Sequence, residues 1–209
     1  MQARDCTWKA SLNVGVNIQQ PVFTPDGSKL YAAGVQGIEP MLSVVDIATG
    51  TVVAAVPLPD IPGPMVITPD GSKAYLATWS DVLVIDTASD AIIATIPVAA
   101  PGVPSDMVIA PDGSKIYLAT YDGDTISVIQ TSDDTLLAAV KVGKRPVDLA
   151  VTPDGSKVYV ANQDSDSVSV IQAVNDRVVS TVELGQSPKA LGIAEVLLQP
   201  ALSRRGTSP

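Results

Sequence analysis

The chain of 209 residues contains no histidine, one cysteine and one phenylalanine. The absence of histidine excludes general base catalysis by imidazole, His-ligated metal sites and His-ligated haem. Because Cys6 has no second cysteine to pair with, no intrachain disulfide can form, and we interpret the thiol as incidental. No apolar run approaches the ~20 residues that cross a bilayer. The sequence therefore predicts a soluble chain with no membrane span and no visible signal peptide.

Positive charge is also scarce, with 13 basic residues against 22 acidic ones and a formal net charge of −9. Such a chain repels phosphate backbones and anionic lipid surfaces, so no nucleic-acid partner is expected. What the chain has is 46% hydrophobic residues, mainly Val, Ile, Ala and Leu, together with 17 Pro and 15 Gly. This composition favours half-buried strands joined by frequent turns, and it predicts an all-β fold.

One segment recurs four times, as "FTPDGSKLYAAG", "ITPDGSKAYLAT", "IAPDGSKIYLAT" and "VTPDGSKVYVAN". Intervals of 44, 42 and 42 residues separate the aspartates of the four Pro-Asp-Gly turns, which are Asp26, Asp70, Asp112 and Asp154. In the last unit, "PVDLAVT", "KVYVANQ", "SVSVIQ" and "RVVSTVEL" each show a strand pattern. Four short antiparallel strands in ~40 to 45 residues cannot bury both faces alone, so successive sheets must stack, as in a β-propeller.

The sequence thus predicts a β-propeller of four-stranded antiparallel blades. We expect full blades at about 18–58, 62–100, 104–142 and 146–184, and a partial blade at 185–194 that begins with "PKALGIA". An N-terminal segment, 1–17, carries one outer strand at 7–14, and residues 195–209 form a tail. Because a seven-bladed ring of such units needs on the order of 290 residues, we predict an incomplete or unusually small propeller. Its open edges would favour self-association.

The units resemble the YVTN family of β-propeller repeats, through "YVAN" at Tyr159–Asn162 with the preceding "PDGSK" and the later "SVSVIQ". The other copies, "YAAG", "YLAT" and "YLAT", match this pattern less well. The resemblance covers about residues 16–194. It implies surface-layer-like or secreted proteins and hence an extracytoplasmic location, and it says nothing of activity because the fold hosts many functions.

Repetition in every unit favours structural roles for the recurring residues. Proline fixes φ in each Pro-Asp-Gly turn, aspartate binds nearby backbone N–H groups, and glycine accepts positive φ. A lysine stands two residues before each repeated tyrosine, for example Lys157 before Tyr159. We expect each lysine to be a solvated charge that shields its turn. Each tyrosine is expected to pack between adjacent sheets and to satisfy its hydroxyl group locally.

Alternation of strand direction places the Pro-Asp-Gly turns and the turns between third and fourth strands on one side of the propeller. The other side, the variable face, carries loops that differ between units, and recognition usually occupies such loops. The candidate binding residues there are Trp79, Tyr121, Asp122, Asp124, Arg145, Gln163, Asp164 and Asp166. Asp122-x-Asp124 and Asp164-x-Asp166 could bind Ca²⁺, but neither continues into an EF-hand loop, so no metal site is expected.

Three functions remain open. The preferred one is a non-catalytic module that binds a protein or glycan partner on the variable face, with no catalytic residues and no cofactor. The alternative is a hydrolytic propeller, lactonase-like or lyase-like, whose acid–base groups would have to be carboxylates, Lys, Arg or Tyr. A cofactor-bearing redox propeller is the weakest, because no Cys-x-x-Cys-His motif occurs.

Overall fold

A computed structural model describes residues 14, 17–19 and 21–193, and it contains four antiparallel sheets of four strands each. The first sheet contains β1 (Val22–Phe23), β2 (Lys29–Gln36), β3 (Glu39–Asp46) and β4 (Thr51–Pro57). The second contains β5 (Met65–Ile67), β6 (Lys73–Ala77), β7 (Asp81–Asp86) and β8 (Ala91–Pro97). Within each sheet the strands lie in chain order, so every connection is a hairpin.

The other two sheets repeat this arrangement. The third contains β9 (Pro104–Ile109), β10 (Lys115–Thr120), β11 (Thr125–Gln130) and β12 (Thr135–Lys141). The fourth contains β13 (Pro146–Val151), β14 (Lys157–Asn162), β15 (Ser167–Gln172) and β16 (Arg177–Glu183), with a short 3-10 helix at Gln163–Ser165. The predicted all-β propeller architecture of four-stranded antiparallel blades is confirmed.

The hydrophobic core is divided into layers that lie between consecutive sheets. In the layer between the third and fourth sheets, Tyr117 and Val128 pack against Leu149, Val160 and Ile171. Equivalent layers join the first sheet to the second and the second to the third. A single sheet of four short strands cannot bury both of its apolar faces, and stacking supplies the second layer.

The first strands of consecutive sheets lie against one another, β1 by β5, β5 by β9 and β9 by β13. They form the inner edge of the stack, while β4, β8, β12 and β16 form its outer edge. Within the described residues, no helix is long and apolar enough to cross a membrane.

The predictions for the two ends of the chain have different outcomes. The outer strand predicted at 7–14 and the tail predicted at 195–209 lie outside the described residues, apart from Val14. The prediction of an inner strand at "PKALGIA" is wrong for its described part, because 188–193 contains no strand. Single hydrogen bonds take the place of a ladder here. The Leu191 N–H donates to the Asp148 carboxylate, and just before the segment the Ser187 hydroxyl donates to the Gln163 carbonyl oxygen.

The predicted chemistry of the Pro-Asp-Gly turns is confirmed. In the fourth sheet, Asp154 Oδ1 accepts hydrogen bonds from the Ser156 N–H at 3.0 Å and from the Ser156 hydroxyl at 2.9 Å. The Thr152 hydroxyl and these Ser156 donors hold the pKa of Asp154 at about 2. Gly155 adopts a φ of +68°, in the left-handed region that glycine enters at little cost.

We expect Gly155→Val to lower the free energy of unfolding by about 1 to 3 kcal/mol, because a β-branched residue is strained at positive φ. Urea denaturation followed by circular dichroism measures the change. Gly192→Val is the matched control, since Gly192 has no positive φ and an added Cβ there meets no atom within 4 Å. Equal denaturation midpoints for the two variants would contradict the strain argument.

The expectation of a solvated lysine is wrong at three of the four units, because each of these lysines forms an ion pair with the next sheet. The tyrosines of these units pack between adjacent sheets as expected, but their hydroxyl groups bond to the next sheet and not locally. Each pair meets an aspartate at the end of the next sheet's turn between its third and fourth strands, an arrangement we call the inter-sheet latch. The latches are Lys29 and Tyr31 on Asp90, Lys73 and Tyr75 on Asp134, and Lys115 and Tyr117 on Asp176.

In each latch the lysine ammonium group and the tyrosine hydroxyl share one carboxylate, and the ion pair is partly shielded from water. Lys73 Nζ lies 2.7 Å from Asp134 Oδ2, and the Tyr75 hydroxyl donates to Asp134 Oδ1 at 2.5 Å. Burial, with the nearby aspartate, raises the pKa of the Tyr75 hydroxyl. Asp134 has a φ of +57°, and in the first sheet Gly50, with a φ of +64°, stands at the corresponding place. The first sheet therefore offers no carboxylate for a latch at this position.

Candidate functional site

Part of the predicted binding surface forms a groove between the third and fourth sheets on the variable face. Its volume is about 440 Å³. Five of the eight predicted residues line this groove, namely Tyr121, Asp122, Asp124, Arg145 and Asp164, and Val103 and Lys144 complete it. The remaining three, Trp79, Gln163 and Asp166, do not line it.

Arg145 makes three contacts with other residues of the groove. Its guanidinium carbon lies 5.3 Å from the centre of the Tyr121 ring, and its Nη1 lies 3.8 Å from Asp164 Oδ1. The Arg145 N–H donates to Asp124 Oδ1 at 3.2 Å. Arg145 and Asp124 both adopt left-handed backbone conformations, with φ of 54° and 45°. Non-glycine residues rarely adopt this conformation, so the surrounding contacts must hold both loops in place.

The three predicted residues outside the groove lie in the connections between strands, where their backbone groups make the contacts. The Trp79 carbonyl oxygen accepts the Gly102 N–H at 2.8 Å, and the Gln163 N–H donates to the Arg145 carbonyl oxygen at 2.9 Å. Asp166 ends the 3-10 helix with a φ of 49°. Across residues 21–193 and the few described before them, no group of three or more Cys, Asp or Glu side chains could hold a metal ion.

A second feature lies on the inner strands, where Asp106 of β9 and Asp148 of β13 occupy equivalent positions. Asp106 Oδ2 accepts the Leu149 N–H at 2.8 Å, which brings its carboxyl group to the residue directly after Asp148. Asp148 in turn accepts the Leu191 N–H from the following inner segment. The bond to the Leu149 N–H therefore places the Asp106 carboxyl group beside the backbone of Asp148. We call them the inner carboxyl pair.

Within the inner carboxyl pair, Asp106 has the electrostatics of an acid–base group. Burial raises the pKa of Asp106 to about 6, the charge of Asp148 acts in the same direction, and the Leu149 and Met107 N–H groups oppose the shift. A carboxyl group with such a pKa ionises near neutral pH and can both accept and return a proton. Strongly perturbed carboxyl groups are candidates for functional sites.

Sequence reasoning missed the inner carboxyl pair because it treated all aspartates as turn or loop residues. A signal was present, however. In "PSDMVI" and "PVDLAV" an acidic residue interrupts an apolar strand, whereas the second unit has Pro64 at that position. An acid within a half-buried strand needs a partner, and both aspartates find one on the next inner segment. About three residues of strand, or roughly 10 Å, separate Asp148 from Arg145 at the groove.

Comparison with known proteins points to a hydrolytic family. The sequence model of a family described as "Lactonase, 7-bladed beta-propeller" matches residues 88–189, just under half of the chain. This segment contains the inner carboxyl pair and the residues that line the groove. No curated protein sequence matches the chain.

Solved structures of similar fold come from several bacteria. Hydrazine synthase of Kuenenia stuttgartiensis is 25% identical with a TM-score of 0.69, and the match covers 84% of this chain and 52% of that one. A protein of unknown function from Desulfotomaculum acetoxidans is 22% identical, with a TM-score of 0.66 and coverage of 78% and 55%. A Bacteroides fragilis protein assigned as a 6-phosphogluconolactonase is 17% identical, with a TM-score of 0.67 and coverage of 85% and 58%. The chain spans about half the length of these structures.

These findings correct the functional expectation from the sequence. The preference for a non-catalytic binding module is wrong, because the matched family is that of lactonase propellers, which agrees with the hydrolytic alternative. That preference rested on the idea that the carboxylates occur only in regular turns. The inner carboxyl pair removes this objection, since it is partly buried and lies outside the turns. The matched family also differs from the YVTN repeats that the sequence resembles, so that resemblance stays a prediction.

Proposed function

We propose that this chain acts as a lactonase-like hydrolytic propeller and that the inner carboxyl pair supplies its acid–base chemistry. The observation that carries the proposal is the position of Asp106 and Asp148 within the segment that matches the lactonase family. Because no histidine is present, a carboxyl group with a pKa near 6 is the group best suited to act as a general base at neutral pH.

Hydrolysis of a lactone needs one water molecule and one proton relay. The ionised Asp106 carboxylate removes a proton from water while the water oxygen bonds to the lactone carbonyl carbon. The bond between that carbon and the ring oxygen then breaks, and the protonated Asp106 returns its proton to the ring oxygen. The product is an open-chain hydroxy acid, and the carboxyl group ends in its starting state.

The groove on the variable face supports the proposal as a place for the body of the substrate. Lys144 and Arg145 offer donors to carbonyl or hydroxyl oxygens, while Asp122, Asp124 and Asp164 offer acceptors to hydroxyl groups. We therefore assign the predicted binding residues of the groove to substrate recognition. A partner protein and an extracytoplasmic location remain predictions that follow from the repeat resemblance.

Purified protein is expected to hydrolyse at least one lactone faster than the spontaneous reaction at pH 7. A pH-stat measures acid release from five- and six-membered sugar lactones, with and without a phosphate group, and from unsubstituted aliphatic lactones. The Bacteroides fragilis protein motivates inclusion of the phosphorylated sugar lactone. Rates equal to the spontaneous rate for every lactone, from protein shown to be folded by circular dichroism, would refute the proposed function.

A matched control excludes a contaminating hydrolase. Asp133→Asn removes one negative charge from an exposed turn on the side of the propeller opposite the groove. This variant, purified in the same way, should retain full activity. Activity should also elute with the protein during size-exclusion chromatography.

A further inference from the structure

Negative charge outweighs positive charge in the groove on the variable face. Its lining contains three carboxylates and two cations, namely Asp122, Asp124 and Asp164 against Lys144 and Arg145. One negative charge is left over, on a chain whose formal net charge is −9. A phosphate ester that entered the groove would therefore be repelled both by the groove itself and by the field of the whole chain.

Arg145 is the cation best suited to bind a phosphate group, and it is already engaged. Its Nη1 lies 3.8 Å from Asp164 Oδ1, and its guanidinium carbon lies 5.3 Å from the centre of the Tyr121 ring. Arginine recognises phosphate best through two parallel hydrogen bonds, which here would have to displace the Asp164 carboxylate. Lys144 is left to offer a single ammonium group among three carboxylates.

Hydroxyl groups, by contrast, find suitable partners in the groove. Asp124 uses one carboxylate oxygen, Oδ1, to accept the Arg145 N–H at 3.2 Å. Its second oxygen and the exposed Asp122 carboxylate can accept hydrogen bonds from alcohols. The Lys144 ammonium group can donate to hydroxyl or ring oxygens. This set of acceptors with one free donor matches a ring that is rich in hydroxyl groups.

Backbone contacts fix the charges of the groove relative to one another. The Asp164 N–H donates to the Lys144 carbonyl oxygen at 3.2 Å, and the Lys144 N–H donates to the Ser165 hydroxyl. Gly143 permits this close approach, because a Cβ added there would lie 2.7 Å from the Asn162 Cβ. The two loops therefore hold Asp164 beside the cations, and the charge balance is set before a ligand binds.

We propose that the groove selects a neutral polyhydroxy ring, such as a sugar lactone without a phosphate group, and discriminates against the phosphate ester of the same ring. This inference names the substrate class of the proposed function and rests on it for turnover. The binding preference itself depends only on the charges of the groove.

The test measures binding without turnover. The neutral ring 1,5-anhydroglucitol lacks the lactone carbonyl group, and its 6-phosphate differs only by the charged group. Each compound is titrated into ¹⁵N-labelled protein at low ionic strength, and NMR follows the backbone amides of Lys144, Arg145 and Gln163. We expect the neutral ring to bind about tenfold more tightly, since about two negative charges placed ~6 Å from one excess negative charge in water are disfavoured by about that factor. Added salt should reduce the difference.

Two variants connect the preference to the groove. Asp164→Asn removes the excess negative charge and releases the Arg145 guanidinium group, so the two affinities should come within about threefold of each other. Asp133→Asn removes a charge of the same sign on the opposite side and should keep the wild-type preference.

The outcomes separate this inference from the proposed function. Equal or tighter binding of the phosphate ester by the wild-type chain, or no change in the three amides with either ring, would overturn the selection. Preference for the neutral ring in protein that hydrolyses no lactone would support the selection while the proposed function failed. Faster hydrolysis of phosphorylated lactones than of neutral ones would uphold the function and overturn the selection.

Discussion

Asp106→Asn is expected to reduce kcat/KM for lactone hydrolysis by about 10² to 10⁴-fold, the usual contribution of a general base. Asparagine has nearly the same shape and can still accept the Leu149 N–H, so the inner edge should keep its structure. The asparagine amide, however, cannot take a proton from water. Steady-state kinetics on the best lactone from the screen, compared with Asp133→Asn, measures the effect. Retention of wild-type activity in Asp106→Asn would remove Asp106 from the mechanism.

The pH dependence provides an independent check on the same residue. Since the ionised form is the active base and its pKa is raised to about 6, kcat/KM should rise as the pH increases towards 6 and level off above it. Residual activity of Asp106→Asn should lack this acid limb. An acid limb of the same midpoint in both proteins would assign the ionisation to another group.

Asp134→Gly should lower the free energy of unfolding by about 2 to 3 kcal/mol, because it opens the latch between the second and third sheets. The change removes the carboxylate that the Tyr75 hydroxyl and the Lys73 ammonium group share, so that both keep only long contacts, of 3.4 and 3.3 Å, with the Thr131 carbonyl oxygen. A buried donor without a good partner costs about 1 to 3 kcal/mol. Removal of one partner of a fully buried ion pair costs about 3 to 5 kcal/mol, and this pair is partly exposed, so its loss should cost less. Glycine fits the left-handed backbone there, as Gly50 does in the first sheet.

Asp133→Gly is the matched control, because it changes the neighbouring exposed residue of the same turn and should cost about 1 kcal/mol or less. Denaturant unfolding measures both variants. A double-mutant cycle with Tyr75→Phe isolates the latch, since loss of the tyrosine hydroxyl should matter less once Asp134 is gone. Equal effects of Asp134→Gly and Asp133→Gly would show that the latch contributes little to stability.

The candidate site could be predicted only in part. Five of the eight predicted surface residues line one groove, since loops that differ between repeats were correctly placed on one side of the sheets. The inner carboxyl pair was missed, because Asp106 and Asp148 are 42 positions apart and the acidic interruption of each strand does not show which residue the carboxyl group meets. Likewise, Lys73 looked like a solvated charge next to its own turn, and its partner Asp134 lies 61 residues further along the chain.

The repeating unit, its four strands and its turns could be read from the sequence. These features depend on local chemistry, such as the positive φ of Gly155 and the bond from Ser156 to Asp154, which a few neighbouring residues specify. The tertiary structure alone decided which side chains meet between sheets. The inter-sheet latches and the inner carboxyl pair join residues about one repeat or more apart, so they exist only once the sheets have stacked at a definite angle and distance. Segment 188–193 likewise meets Asp148 only in the tertiary structure, and it does so without a ladder although its sequence resembles the strands before it.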